Sequence, residues 1–421
     1  MRIHEFFLNV FYENIILYIV CLLLATIATI PLFKKYTNGI LDPFFFILFM
    51  TVFAYAIPPF LFFTGNCSFR NFAYFLISET FLWIGFYIVY KLKRDFSINK
   101  IKNEEVIMEY LFYISLLLFI LSKLYSYLFI GIPLFMQYRL DAYIESNGLG
   151  ILKRISEFAS LFLLIYSFYL KDHNKRVYLF VFILIFIDTI LSGSKSAVLT
   201  IFHSYFIYTF FYKDSVPKIK TKYILIMLCF PFLILLLANS GSDISAVSAG
   251  IFTRMIANGD VFWYAYPNNT IDNIHINNFF TNLFVGLLGP FRLIDYNTVE
   301  PNIGLQINWE IEPTIYGTNA GPNARPSIAG WIYFKWYGLI FSFLIGCFIS
   351  FCIYYIKKYF TKSILGVILF GFLYQNAITF LIDPLLGFSY LSNFILNIII
   401  YTLIIITILK IKEILETRSN Q

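Results

Sequence analysis

The residues with the greatest chemical reach in this chain gather in one polar interval, 240–337, of an otherwise apolar sequence. Arg254, Arg292 and Arg325 lie in it, and Arg139 lies in a shorter polar stretch upstream. A planar guanidinium meets two phosphate oxygens at once, so several arginines brought together suit a pyrophosphate. The interval also holds the carboxylates Asp243, Asp260, Asp272, Asp295, Glu300, Glu310 and Glu312. A carboxylate in a partly buried place is suited to take a proton from an attacking hydroxyl. Asp260, soon after Arg254 and followed by Val261-Phe262-Trp263-Tyr264, is the first choice for that role and Glu310 the second. An ion pair or a helix cap is the plainer role for either.

Trp263, Trp309, Trp331 and Trp336, four of the five tryptophans, share the interval. Their rings are flat apolar platforms with a polar edge, suited to stacking on sugars, and equally suited to anchoring at a membrane surface. Anchoring is the expectation for Trp331 and Trp336; Trp263 and Trp309 fit either role. Asn323 and Arg325 stand together in the turn-forming run Gly321-Pro322-Asn323-Ala324-Arg325-Pro326. Farther upstream, Leu191-Ser192-Gly193-Ser194-Lys195-Ser196-Ala197 joins two apolar runs that are only just long enough to span. The hinge is therefore expected below the outer surface, with Lys195 in a wet cavity or paired with Asp188. It is not a phosphate-binding P-loop, because the preceding glycine and strand are missing.

The elements that must position these groups follow from composition. The chain has 421 residues, of which 59% are hydrophobic and only 13% charged, which leaves too little polar side chain to cover a soluble globule. Apolar runs long enough to cross hydrocarbon occur at about 14–33, 42–63, 72–90, 107–130, 155–170, 177–193, 196–212, 223–239, 338–356, 363–382 and 389–409. The fold class is thus all-α, a polytopic membrane protein of about eleven transmembrane helices in a single integral membrane domain, 1–421. The first run is too long for a signal-peptide core and is read as a retained helix. Phe279 to Phe291 is apolar but too short to span, and is expected to lie in the interface or to re-enter the membrane.

Net charge is +7, but most of the 31 basic residues sit in short alternate connections: Lys34 and Lys35, Lys91 to Lys102, Lys171 to Arg176, Lys213 to Lys222, Lys357 to Lys362, and Lys410 to Arg418. This is a topology signal and not a nucleic-acid surface. It makes those segments cytoplasmic, the N-terminus and the 240–337 loop periplasmic or exterior, and the C-terminus cytoplasmic. Most of the five cysteines lie inside apolar runs and the four histidines are scattered, so neither a metal site nor a cofactor is expected.

These features together resemble the O-antigen polymerase (Wzy) family of oligosaccharide repeat-unit polymerases. The residues that carry the resemblance are Leu191 to Ala197, Arg254 with Gly259-Asp260, and Gly321 to Gly330 running through Tyr333-Phe334 into Trp336-Tyr337-Gly338-Leu339. Such enzymes are similar to other membrane glycosyltransferases of the C-type fold. The resemblance implies transfer of a growing glycan from undecaprenyl pyrophosphate to a sugar hydroxyl of a second lipid-linked repeat unit, at the periplasmic face of the inner membrane, in the synthesis of O-antigen lipopolysaccharide or a related polysaccharide. It implies membrane lipids and a chain-length co-polymerase as partners. On this reading Arg254, Arg292 and Arg325, helped by Arg139 and Lys195, hold the pyrophosphates without metal, and Asp260 or Glu310 activates the acceptor. A flippase for lipid-linked oligosaccharide would share the arginines but should show two related halves with short external loops, which this chain lacks. An O-antigen ligase shares the architecture.

Overall fold

The computed structural model describes residues 1–99, 101–136, 150–193, 197–217, 250, 252–276, 278–295, 299–315 and 321–419. Among these residues there is no β-strand, only one bridge between Ser97 and Thr361. Every expected helix has a counterpart except 223–239, which lies outside the described residues, as do Arg139 and Lys195.

The long apolar helices are α1 (Ile15–Tyr36), α2 (Pro43–Phe63), α3 (Phe69–Tyr90), α4 (Glu104–Phe129), α5 (Gly150–His173), α6 (Lys175–Leu191) and α7 (Ala197–Ile207), which continues as a π-helical turn to Tyr212. Within the polar interval come α8 (Asp260–Ala265), α9 (Phe279–Leu288), α10 (Ile303–Ile311) and α11 (Pro326–Phe334). The chain ends with α12 (Gly338–Ser350), α13 (Ile364–Thr379) and α14 (Pro384–Ser419). Counting α11 and α12 as one kinked rod, six helical segments among the described residues are long and apolar enough to cross a membrane. This is the architecture of a multi-pass all-α membrane protein. Many of the bounds have a chemical cause. Asp42, Ser68, Asn174, Asn278 and Ser363 each accept a hydrogen bond from the first turn of the helix that follows. Lys335, in left-handed backbone at φ 51°, breaks the rod between α11 and α12.

α3 and α12 pack tightly against each other. Small residues recur every four positions along α12, at Ser342, Gly346 and Ser350, and this lets the two backbones touch. A Cβ at Gly346 would collide with the Leu82 carbonyl. Ser78 and Ser342 share a hydroxyl hydrogen bond of 2.7 Å beside the contact.

The basic connections collect at one end of the bundle. Lys213 pairs with Asp172 at 2.5 Å, Lys362 pairs with Asp214, and the Ser97–Thr361 bridge joins their neighbours. The polar interval packs at the other end. There a second apolar core unites the N-terminal Phe6, Phe7 and Phe11 with Trp263, Ile307 and Ile328 and the adjoining parts of α2 and α3. The N-terminus and the interval therefore share a side. The expected interfacial or re-entrant segment, 279–291, is the helix α9 closed by a 3-10 turn, Gly289–Phe291, and it packs along α14. Its Phe280, Phe284 and Phe291 are exposed.

Candidate functional site

Two polar cavities lie at the end of the bundle that carries the polar interval. The first, about 370 Å³, is enclosed by α4, α5, α6, α7, α13 and α14. One wall is charged, with Lys123 of α4, Arg154 and Glu157 of α5, and Asp188 of α6. Amides complete the lining, with Gln375 and Asn376 of α13 and Asn393 and Asn397 of α14. The second cavity, about 400 Å³, lies among α9, the start of α10, the turn Gly321 to Ala324, and Asp383 ahead of α14. Arg154 lines both.

Arg154 is held firmly. Its Nη1 donates to the Gly286 carbonyl of α9 at 2.5 Å, and its own carbonyl accepts from Asn397 Nδ2 at 3.3 Å. Lys123 pairs with Asp188 at 2.9 Å, and the Tyr127 hydroxyl donates to the same carboxylate at 2.5 Å. Asp188 is an alternative partner for Lys195, which lies outside the described residues; among those residues its partners are Lys123 and Tyr127. An ion pair among apolar spans is a marker of function, because burying charge in hydrocarbon is costly.

Asp383 ties the second cavity together. One carboxylate oxygen accepts from the Ala324 amide at 3.2 Å, and the other from the Leu385 and Leu386 amides at 3.0 and 3.1 Å, capping α14. Burial holds this carboxyl above the usual range against those three bonds. The same turn is fixed by Gly321, whose backbone rests on the backbone of Gly304 with no room for a Cβ on either. The Gly321-Pro322 motif is thus explained by close packing. Asn323, exposed at its tip, lines the second cavity.

Of the residues expected to bind pyrophosphate, the described Arg254, Arg292 and Arg325 line neither cavity. Arg325 is buried at 2% exposure, and its guanidinium already donates to the Asn258 carbonyl at 3.1 and 3.2 Å, and to Thr51 Oγ1 and the Leu381 carbonyl at 3.4 Å. It acts as a staple between α2, the start of α11 and the end of α13, with Glu79 and Asp260 balancing its charge. Arg254 and Arg292 are exposed, Arg292 in left-handed backbone at φ 57°. Arg254 and Arg325 both act on Asp260, whose carboxylate caps the Val261 amide at 2.8 Å. Burial pushes the Asp260 carboxyl up to about 7, opposed by the Val261 N–H and the two arginines. Asp260 lines neither cavity. Glu310 is exposed and accepts from Asn273 Nδ2 at 3.0 Å, fastening α10 to the preceding turn.

Two of the tryptophans depart from expectation. Trp263 has no exposed surface and stacks on Phe6 at 4.2 Å, so it offers no face to a sugar. Trp331 is also enclosed: its Nε1 donates to Asp272 at 2.9 Å, and Arg70 lies over its ring. Burial raises the Asp272 carboxyl, but the Trp331 N–H and the Arg70 charge outweigh it and leave the group below its ordinary value. Trp336 is half exposed, as anchoring requires, and Trp309 is partly buried on α10.

The sequence reading passed over Arg154, Glu157 and the amides. Arg154 stood just outside the helix expected at 155–170. The amides carried a signal, since Asn393 and Asn397 are one turn apart in an apolar span and Gln375-Asn376 lie in another. Compared with known proteins, the chain matches no protein-family model, no curated protein and no solved structure.

Proposed function

We propose that this protein polymerises lipid-linked oligosaccharide repeat units, moving a growing glycan from undecaprenyl pyrophosphate to a sugar hydroxyl of another lipid-linked unit. The observation that carries the reading is Arg154, a cation in the wall of both polar cavities at the end where the long interval gathers. Two cavities side by side suit a reaction that brings two glycans together, and a cation at their junction suits the departing diphosphate. The basic connections at the opposite end support a cytoplasmic place for that end, and with it a reaction at the outer face of the inner membrane. No nucleotide sugar is supplied there, so the donor has to arrive already activated.

The reaction breaks the bond between the anomeric carbon and the diphosphate oxygen and joins that carbon to the acceptor oxygen. The acceptor hydroxyl gives up its proton. Glu157, one helical turn from Arg154 and on the same face of α5, is the proposed base. Arg154 holds the diphosphate, and the exposed Arg254 and Arg292 guide the anionic headgroup from outside. Arg325 keeps the site in shape.

The test is a gel of surface polysaccharide from a strain with this gene deleted. The polymerase reading predicts loss of the long-chain ladder with a single repeat unit still capping the acceptor, and recovery on complementation. Loss of every repeat, single ones included, would favour a flippase or a ligase; an unchanged ladder would end all three.

A further inference from the structure

We infer that the amide wall of the first cavity is a specificity subsite for an uncharged sugar ring, distinct from the place that holds the diphosphate. The inference rests on the polymerase reading for the identity of the sugar's carrier, and on the cavity itself for its chemistry.

The helices contribute differently to the lining. Lys123, Arg154, Glu157 and Asp188 bring charge from α4, α5 and α6; α13 and α14 contribute carboxamides and aromatic rings, Phe372, Tyr390 and Phe394 among them. Carboxamides carry both donors and acceptors and no charge, which matches hydroxyl and acetamido groups and favours an uncharged ligand over a phosphate. Rings next to them match the apolar C–H face of a sugar.

Hydrogen-bonding capacity on that wall is unspent. Asn397 is 1% exposed. Its Nδ2 donates to the Asn393 carbonyl at 2.7 Å and to the Arg154 carbonyl, yet its Oδ1 has no partner among the described residues. Asn393 Oδ1 and Gln375 Nε2 are likewise buried and unpartnered. Three unmade bonds on one cavity wall carry a cost that a ligand offering hydroxyls would relieve. Asn376 is itself fixed, its Nδ2 donating to the Tyr390 carbonyl at 3.3 Å. A volume of about 370 Å³ lies near the lower end of small-molecule sites and admits a single ring with its substituents.

The test uses the full chain in lipid nanodiscs. The substrate is lipid-linked repeat units extracted from the host, and the binding probe is the free repeat-unit oligosaccharide released from them. Gln375→Glu is nearly isosteric, and Asn393→Ala removes one amide. For each, the expected result is a KM raised about tenfold, with kcat within about twofold of wild type, and loss of the thermal stabilisation that the oligosaccharide gives wild type. Arg154→Ala should show the opposite split, a fallen kcat. Variants that melt as wild type does and keep both the wild-type KM and the oligosaccharide-induced shift would overturn the subsite while leaving the polymerase intact. If wild type does not extend the lipid-linked units, the polymerase reading fails on its own, and the subsite stands only if the oligosaccharide still stabilises wild type and not the variants.

Discussion

Arg154 and Gly286 are joined by a hydrogen bond of 2.5 Å, from the guanidinium Nη1 of one to the backbone carbonyl of the other. The contact links α5 to α9 where the two polar cavities adjoin. Because the acceptor is backbone, no change of side chain at position 286 removes it; only Arg154 can be varied cleanly.

Arg154→Ala is therefore expected to lower the rate of glycan transfer by about a hundredfold or more, the usual cost of one donor aimed at developing charge. Arg154→Lys should recover only part, since an ammonium does not reproduce the planar fork. Rates on extracted lipid-linked units would measure both. Equal activity of all three proteins would remove Arg154 from the chemistry.

Arg325 should behave differently. Its guanidinium is enclosed and engaged with the Asn258 and Leu381 carbonyls and with Thr51, so Arg325→Ala should destabilise the protein by about 3–5 kcal/mol. Arg254→Ala and Arg292→Ala, at exposed positions, should change stability by less than about 0.5 kcal/mol. Melting in detergent or nanodiscs separates the two classes, and a melting temperature untouched by Arg325→Ala would show that the staple is dispensable.

Two carboxylates in the polar interval should give opposite pH dependence. Burial raises the Asp260 carboxyl to about 7, so its contribution to stability is complete below the unfolded value of about 3.9 and is lost as pH rises to about 7. Asp272 is held below its ordinary value, so its contribution is present above about 3.9 and is lost as pH falls below that. Asp260→Asn should thus gain on wild type as pH rises through that window. Asp272→Asn should trail wild type at neutral pH and converge with it in acid. Curves that stay parallel at all pH values would contradict both assignments.

The α3–α12 crossing leaves no room at Gly346. Gly346→Leu should cost about 1–3 kcal/mol or more through overpacking, whereas Ser342→Ala removes one hydroxyl bond to Ser78 and should cost about 0.5–1.5 kcal/mol. Monodispersity and melting of the purified variants would check the order; a Gly346→Leu protein as stable as Ser342→Ala would mean that the helices can separate.

The long apolar helices were legible because hydrophobic length is a local property; their ends, set by caps, were read only approximately. Asn174, Asn278 and Ser363 sit one residue before helices and cap them, and the clustered lysines mark one end of the bundle. Long-range pairing is not local. Nothing in the neighbourhood of Trp263 reveals that Phe6 will cover it, and nothing near Arg325 reveals the carbonyls of Asn258 and Leu381 that engage it. Arginine was legible as a phosphate-binding type, but an arginine among apolar residues also makes a good internal staple, and only packing decides between the two. Arg154 was hidden for a related reason: α5 begins earlier than its apolar run, so a charged residue inside the helix read as connection.

The most direct test of the central claim is to incubate the purified protein in nanodiscs with extracted lipid-linked repeat units alone, without nucleotide sugar, and to follow lipids and glycans by mass spectrometry. The account predicts lipid-linked glycans lengthened by whole repeat units, with one undecaprenyl pyrophosphate released for each unit added. Units that remain single, with no undecaprenyl pyrophosphate released, would contradict it.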